Sequence, residues 1–168
     1  LCLESDNKTA KLKKDKAVIV GYGGSAKATI YALDKMGFSE VVLWNRSFDK
    51  IKNLKKIYKI KTVPRELKKN NFNIDKDTDI AINTIPTEDF FIQKHNKNKD
   101  FNKQTKGYDL VYNKQTNFLK YFSVSNRING INLLIHQAAP CFEAWFNIKP
   151  KIDKKLFDLL SNKTEKVK

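Results

Sequence analysis

Glycine, proline, cysteine and methionine are all scarce in this chain of 168 residues, which has 6, 4, 2 and 1 of them respectively. Two cysteines, Cys2 and Cys141, indicate neither a disulfide framework nor a metal cluster, so we expect unpaired thiols and no metal site. No apolar run reaches the roughly 20 residues that span a bilayer, and the first residues lack the apolar stretch of a secretory signal. We therefore expect a soluble, cytoplasmic protein without a membrane partner.

Acidic residues are also few: the chain has 18 Asp and Glu against 33 Lys and Arg, which gives a formal net charge of +15. A basic surface of this kind attracts polyanions and could serve nucleic acid binding. The lysines are spread along the whole chain among asparagines, however, without a base-stacking motif or helix-turn-helix spacing. Solvated lysine faces are the preferred interpretation, so we do not expect a nucleic acid partner and keep such a binder as an alternative.

Apolar residues make up 40% of the chain, which is enough for one domain with an ordinary core. Short apolar runs alternate with helical apolar stripes. This pattern predicts an α/β fold, a Rossmann-like, doubly wound, mostly parallel sheet with helices on both faces. We expect a linker or arm over residues 1–15, the domain over 16–162 and a charged tail over 163–168.

The predicted elements follow from the same periodicity. Strands are expected at residues 18–20, 41–44, 60–63, 79–83, 108–112 and 127–131. A first helix is expected after the first strand, with a C-cap at Gly37, and a second from Asp49, with Ile51, Leu54 and Ile57 on its apolar face. A short helical piece is expected after Pro64 and a last helix from Asp153. The helix expected over 133–145 would turn these residues inward: Leu134, Ala138, Cys141, Phe142 and Trp145. Residues 93–106 are expected to be a solvated loop or helix surface.

The most informative stretch is residues 16–28, KAVIVGYGGSAKA, in which an apolar strand runs into Gly21-x-Gly23-x-x-Ala26 and then into a helical stripe. Glycines let the backbone turn tightly and approach a phosphate, and the opening helix points unpaired N–H groups at it. The pattern predicts a dinucleotide pyrophosphate site. A glycine turn in some other α/β protein is the alternative.

The residues at the end of the second predicted strand indicate which dinucleotide the site would bind. A carboxylate about 20 residues after the glycine turn is expected for NAD, but the chain has Asn45, Arg46 and Ser47 there. A guanidinium matches phosphate oxygens, Lys50 adds a second cation, and Asn45 and Ser47 can donate to the same group. The sequence therefore predicts NADP(H). The alternative is that Arg46 lies in a solvated loop of a lysine-rich protein.

Several motifs together resemble the C-terminal, NADP-binding half of shikimate dehydrogenase. Besides the glycine turn and the Asn45-Arg46-Ser47 motif, these are the strand that ends Ile82-Asn83, the run YDLVYN at 108–113 with Thr116 and Phe118-Leu119, and the block NGI-x-LLIHQAA at 129–139 with Phe142-Glu143-x-Trp145. The resemblance covers about residues 16–160. Asn147 stands where that family usually has glycine, and asparagine tolerates a left-handed conformation.

The resemblance implies a role for each matching residue. Together with the glycine pattern, which supplies Ala26, it assigns cofactor contacts to Gly21, Tyr22, Gly23, Gly24, Ser25, Ala26, Asn45, Arg46, Ser47, Lys50, Asn83, Thr84, Leu110 and Gly130, and substrate contacts to Tyr112 and Gln137. The Gly130 carbonyl would take the nicotinamide carboxamide. Without the resemblance, Tyr112 would be read as a strand-end core residue and Gln137 as a helix-surface amide.

The resemblance also implies what the chain lacks. The family carries its proton-transferring lysine and aspartate on a separate N-terminal substrate domain, and nothing here matches that domain. We expect the cofactor-binding part of an NADP-dependent shikimate dehydrogenase, with no catalytic residue of its own and little or no turnover alone. The complete enzyme would interconvert 3-dehydroshikimate and shikimate. The alternatives are a quinate/shikimate dehydrogenase paralogue and a non-catalytic NADP-binding module.

Overall fold

The computed structural model describes residues 12–52, 54, 59–69, 71–87, 90–91 and 104–165. Its strands are β1 (Lys16–Val20), β2 (Glu40–Asn45), β3 (Lys61–Glu66), β4 (Ile80–Asn83), β5 (Lys106–Asp109) and β6 (Arg127–Ile128). Its helices are α1 (Gly24–Met36), α2 (Ile131–Phe146) and α3 (Lys154–Glu165), with 3-10 turns at Phe48–Lys50, Leu119–Tyr121 and Val124–Asn126.

All six strands are parallel and lie in the order β3-β2-β1-β4-β5-β6. Chain order therefore reverses between β1 and β4, which is the switch point where ligands of open parallel sheets bind. This arrangement confirms the predicted Rossmann-like fold class. It also places the ends of β1 and β4 side by side, with Val20 opposite Asn83 in register.

Alternating residues of the strands build two cores on opposite faces of the sheet. Ala17 and Ile19 of β1 pack with α1 on one face, whereas Val18 and Val20 point to the other. The second face is covered among the described residues by an aromatic cluster that includes the 3-10 turn Leu119–Tyr121. Its rings pack mostly edge to face: Trp44, Phe72, Phe91, Phe118 and Tyr121.

Three strands end three residues away from the predicted position: β3 continues to Glu66, β5 stops at Asp109, and β6 stops at Ile128. Pro64 does not introduce a helical piece but lies inside β3, opposite Leu43. A proline is tolerated there because β3 is an edge strand, where an absent N–H disrupts no central ladder. The fifth strand ends at Asp109 and does not continue to Tyr112, because the Asp109 side chain takes the backbone N–H of Val111 at 2.9 Å.

The long helix α2 begins earlier than predicted and is far less buried. Its first turns supply the buried residues Ile131 and Ile135. Ala138, Cys141, Phe142 and Trp145, which were expected to face inward, are exposed instead, Trp145 by 76%. Periodicity identified an apolar stripe on a helix, but among the described residues the sheet covers only the beginning of that stripe.

The two predicted left-handed positions are confirmed. Gly37 ends α1 with φ +86° and Asn147 ends α2 with φ +51°. Other predictions fall wholly or partly outside the described residues: the arm up to residue 11, the end of the helix expected from Asp49, most of the loop at 93–106 and the last residues of the tail. No described helix has both the length and the apolar content needed to cross a membrane.

Candidate cofactor-binding site

The glycine turn after β1 is fixed by a main-chain hydrogen bond to β2. Gly21 has φ +104° and its N–H donates to the Trp44 carbonyl oxygen at 2.8 Å. A Cβ on Gly21 would lie 2.5 Å from Thr84 Oγ1 and 2.7 Å from Ile85 Cγ2. Glycine is therefore required here both by its conformation and by the approach of the loop after β4.

The start of α1 is open to an anion. A Cβ on Gly23 or on Gly24 would have no heavy atom within 4 Å, so the backbone can be approached closely. Gly23 is the N-cap, no side chain caps the helix, and its first turn carries no acidic residue. Ala26 is fully buried, which lets α1 pack close to the sheet. These features fit a dinucleotide pyrophosphate, which needs N–H donors and no bulk in its path.

Two side chains of the turn have defined neighbours. The Tyr22 ring is partly buried and lies 5.3 Å from Lys27 Nζ, a cation–π arrangement at the mouth of the turn. Ser25 is exposed, and its carbonyl oxygen accepts a hydrogen bond from the Thr29 hydroxyl at 2.8 Å. The Lys27 ammonium adds positive charge beside the helix N-terminus.

The end of β2 presents two cations to solvent. Arg46 and Ser47 are exposed directly after β2, and Lys50 is exposed in the 3-10 turn Phe48–Lys50. Asn45 Nδ2 donates to the Ser47 carbonyl oxygen at 2.9 Å, which shapes the turn between them. The structure thus brings the four residues predicted to hold a 2′-phosphate onto one short turn at the carboxyl edge of the sheet.

The nearby carboxylates are neutralised. Asp49 pairs with Lys52, and Glu66, the register partner of Asn45, pairs with Lys68 at 2.7 Å. Within the described part of the chain, the side chains of Arg46 and Lys50 form neither a hydrogen bond nor an ion pair. The net charge of this edge is consequently positive, which suits a phosphate better than a ribose diol.

The segment after β4 touches the glycine turn. Asn83 is 2% exposed, and its side chain donates to the Ile85 carbonyl oxygen at 2.9 Å and accepts from the Ile85 N–H at 3.2 Å. The Thr84 hydroxyl donates to the Val20 carbonyl oxygen at 2.7 Å. Asn83 and Thr84 were predicted to line the cleft, and Thr84 does lie against the last residue of β1.

Leu110 and Gly130 come together although 20 residues separate them. A Cβ on Gly130 would lie 2.1 Å from the Leu110 carbonyl oxygen, so glycine allows this contact between backbones. The Gly130 N–H donates to the Val111 carbonyl oxygen at 3.3 Å. The Gly130 carbonyl oxygen already accepts the N–H of Leu134 at 2.9 Å, which leaves it a second lone pair.

The two predicted substrate residues are accessible. Tyr112 lies in the loop after β5 and is 42% exposed, and Gln137 is exposed on α2, two residues beyond the buried Ile135. The loop that carries Tyr112 is joined to the start of α2 through Val111 and Gly130. Both residues therefore belong to elements that meet at the β5–β6 end of the sheet.

Comparison with known proteins identifies the family. The model of the family described as "Shikimate / quinate 5-dehydrogenase" matches residues 4–112. This chain belongs to the shikimate/quinate 5-dehydrogenase family. A relative named shikimate dehydrogenase (NADP(+)), from Caldicellulosiruptor saccharolyticus, is 32% identical over 166 residues, which cover 92% of this chain and 58% of the relative. The chain thus spans a little over half the length of this relative.

Solved structures agree on the fold. The ligand-free 5-ketofructose reductase of Gluconobacter sp. strain CHM43 matches with a TM-score of 0.67 at 21% identity, over 92% of this chain and 57% of the other. The quinate dehydrogenase of Corynebacterium glutamicum in complex with NAD matches with a TM-score of 0.66 at 20% identity, over 98% of this chain and 57% of the other. At these identities the likeness concerns the fold and no more.

Sequence reasoning missed one residue at this edge of the sheet. Asp109 is fully buried, and its carboxylate accepts a hydrogen bond from Asn83 Nδ2 at 3.1 Å. The sequence carried only half of the signal for this contact: Asn83 ends an apolar run, but Asp109 follows Lys106, Gly107 and Tyr108 and was expected inside a strand over 108–112. The two residues meet because β4 and β5 are parallel neighbours and end at the same edge of the sheet.

Proposed function

We propose that this chain is the cofactor-binding part of an NADP-dependent shikimate dehydrogenase, which reduces 3-dehydroshikimate to shikimate. When bound, NADPH supplies the hydride. Gly21 to Gly24 and the start of α1 would bind the pyrophosphate, and Arg46 and Lys50 the 2′-phosphate. Leu110 and Gly130 would contact the nicotinamide end, and Tyr112 and Gln137 the substrate.

The observation that carries the choice of NADP over NAD is the positive edge at the end of β2. Arg46 and Lys50 are exposed on the turn that follows β2, and the two nearby carboxylates among the described residues are paired with lysines. A 2′-phosphate is attracted by this charge and can take bidentate hydrogen bonds from a guanidinium. The relative from Caldicellulosiruptor saccharolyticus, whose name includes NADP(+), supports the same choice.

Calorimetric titration of the chain with NADPH and NADH tests the cofactor assignment. NADPH should bind more tightly, and Arg46→Ala should weaken NADPH binding about tenfold or more while NADH binding stays unchanged, because a charge-assisted hydrogen bond contributes about 1.5–3 kcal/mol. Lys35→Ala is the matched control, since it removes one exposed cation in the last turn of α1, away from the site. Equal affinities of the unsubstituted chain for both cofactors would refute the assignment.

Turnover is proposed to need a further domain. The chain spans 58% of the length of its relative from Caldicellulosiruptor saccharolyticus. The carboxyl half of α2 exposes Phe142, Trp145 and Phe146, a surface that a second domain could cover. The lysine and aspartate that the family resemblance assigns to proton transfer would lie on that domain.

Shikimate oxidation measured by NADPH absorbance tests this point. The chain alone should show little or no turnover, and fusion to the part of the relative that it does not match should restore it. In the fusion, Gln137→Ala should raise KM or lower kcat, with His136→Ala on the neighbouring position as the control. Turnover by the chain alone would contradict the need for a further domain, and an unchanged Gln137→Ala variant would remove Gln137 from the substrate site.

A second candidate is a dehydrogenase that also accepts quinate. The matching family covers both shikimate and quinate enzymes, and a quinate dehydrogenase in complex with NAD is among the structures of like fold. Comparable kcat/KM values of the fusion for quinate and shikimate would favour this candidate. A non-catalytic NADP-binding module would bind NADPH but give no turnover even as the fusion.

A further inference from the structure

A cluster of buried polar side chains joins the ends of β4 and β5. Asp109 and Thr116 are 0% and 1% exposed, and the Thr116 hydroxyl donates to Asp109 Oδ2. Asp109 Oδ1 accepts both Asn83 Nδ2 at 3.1 Å and the Val111 N–H at 2.9 Å. Because the Leu119 N–H donates to Thr116 Oγ1 at 3.3 Å, that hydroxyl is set to donate its own proton to Asp109. Both carboxylate oxygens therefore act as acceptors.

Three segments are joined through this carboxylate, two of them directly and the third through the backbone of Val111. The first is the turn after β4, which the Asn83 side chain closes by bonding both backbone groups of Ile85. The second is the loop after β5, where Asp109 takes the Val111 N–H and Leu110 donates to the Asn83 carbonyl oxygen at 3.0 Å. The third is the start of α2, because the Gly130 N–H donates to the Val111 carbonyl oxygen.

We infer that Asp109 is a positioning residue that sets Leu110 and Gly130 against Asn83 and so shapes the nicotinamide end of the cleft. This inference rests on the proposed function. Because the carboxylate is fully buried, it would act through the loops proposed to contact the cofactor and not by touching the cofactor itself. The adenosine end, at Arg46 and Lys50, belongs to β2 and shares none of these hydrogen bonds within the described residues.

If Asp109 positions these loops, its removal should weaken the binding of a ligand that carries the nicotinamide and leave the binding of one without it nearly unchanged. Asp109→Ala removes the acceptor from Asn83 Nδ2 and Val111 N–H, so the loops at the nicotinamide end lose their relative positions. The Kd of NADPH should rise about tenfold. The Kd of adenosine 2′,5′-bisphosphate, which carries the 2′-phosphate but no nicotinamide, should change by less than about twofold.

Two further variants separate positioning from stability. Asp109→Asn should recover much of the NADPH affinity, because its amide oxygen can accept from Asn83 and Val111, while Thr116 Oγ1 has a second lone pair that can accept an amide N–H beside that of Leu119. Thr105→Val is the matched control: the buried Thr105 hydroxyl precedes the opposite end of β5 and donates to the Thr78 carbonyl oxygen at 2.7 Å. It should reduce stability without changing the ratio of the two dissociation constants.

Calorimetry on the full chain and its variants decides between the outcomes. Equal weakening of both ligands by Asp109→Ala, or the same ratio change in Thr105→Val, would overturn the positioning role and leave the proposed function standing. NADPH binding no tighter than adenosine 2′,5′-bisphosphate in the unsubstituted chain would also overturn it. Failure of the unsubstituted chain to bind either ligand would overturn the proposed function and this inference together.

A second measurement needs no variant and applies even if Asp109→Ala does not fold. Amide hydrogen exchange of the unsubstituted chain should slow at Ile85, Val111 and Gly130 with saturating NADPH, since these N–H groups belong to the three joined segments. Adenosine 2′,5′-bisphosphate should leave their exchange nearly unchanged. Equal protection by the two ligands would overturn the role of Asp109.

Discussion

The two halves of the candidate cleft are built by different means. At the β1–β2 end, the glycine turn is held by main-chain hydrogen bonds, and Arg46 and Lys50 stand exposed beyond it. At the β4–β5 end, buried side chains of Asn83, Asp109 and Thr116 bond one another and the loops around them. The first half presents exposed cations and open space beside the backbone; the second fixes the positions of loops. We therefore expect substitutions at the two ends to differ in kind as well as in size.

The largest loss of stability is expected from Gly130→Ala, which lies against the loop after β5. The new Cβ would lie 2.1 Å from the Leu110 carbonyl oxygen, a backbone atom that no side-chain rotation can move. We expect the free energy of unfolding to fall by about 3 kcal/mol or more, because overpacked sites of this kind must shift their backbone. Urea denaturation measures the change. A loss below about 1 kcal/mol would show that the contact between the two loops relaxes easily.

Gly21→Ala should be the next largest. Here φ +104° disfavours alanine, but the nearest clash is with the Thr84 and Ile85 side chains, which can move. We expect a loss of about 1–3 kcal/mol in the free energy of unfolding.

Gly23→Ala is the matched comparison for Gly21→Ala. Its Cβ would meet no heavy atom within 4 Å, so stability should change by less than about 1 kcal/mol. NADPH affinity should nonetheless fall about tenfold, because the methyl group occupies the path of the pyrophosphate. Unchanged affinity would mean that the pyrophosphate does not approach Gly23.

Raising the salt concentration should change ligand binding differently at the two ends, although by less than the substitutions above. Raising the ionic strength from about 0.1 M to about 1 M shortens the Debye length from about 10 Å to about 3 Å, which screens exposed charges but not buried ones. Adenosine 2′,5′-bisphosphate should bind several-fold more weakly at high salt, and Arg46→Ala should flatten this dependence. The effect of Asp109→Ala on NADPH binding should be the same at both salt concentrations.

The smallest effect is expected at the opposite edge of the sheet, where Lys16 pairs with Asp77 at 2.7 Å. The hydrogen bond from Lys16 lowers the pKa of Asp77 below its ordinary 3.8, and the same bond raises the pKa of Lys16 above 10.5. The stabilisation from Asp77 is therefore present above pH 3.8 and is lost as the pH falls through its lowered pKa. That from Lys16 is complete below pH 10.5 and is lost at higher pH.

Asp77→Asn should accordingly cost less than about 1 kcal/mol near neutral pH, because Asp77 is largely exposed and the pair is screened by water. Its cost should vanish in acid, as denaturation at several pH values would show. Neither NADPH nor adenosine 2′,5′-bisphosphate should bind differently. A changed affinity would mean that the amino edge of the sheet is coupled to the site.

Much of the β1–β2 end could be predicted from the sequence because its determinants are local. A strand, Gly21, Gly23, Ala26 and a helix follow one another within a few residues, and Arg46 directly follows β2. Periodicity and the backbone freedom of glycine are properties of such short segments. The parallel fold class was predictable for the same reason, since alternating strands and helices leave few other arrangements.

The β4–β5 end depended on contacts between residues far apart in the chain. Asn83 and Asp109 are 26 residues apart and meet because β4 and β5 are neighbours in the sheet. Gly130 requires no special conformation; it is needed because Leu110 lies against it. Nor could periodicity reveal that β5 stops at Asp109, since a side-chain hydrogen bond to Val111 ends it.

By itself, the sequence determined the glycine turn, the basic end of β2 and the kind of sheet that carries them, because each arises from residues adjacent in the chain. The tertiary structure alone decided which buried carboxylate joins the loops at the other end, why Pro64 is tolerated in β3 and how little of α2 is covered. These features arise from the pairing of distant segments, and a linear pattern of residues does not specify which segments will be neighbours.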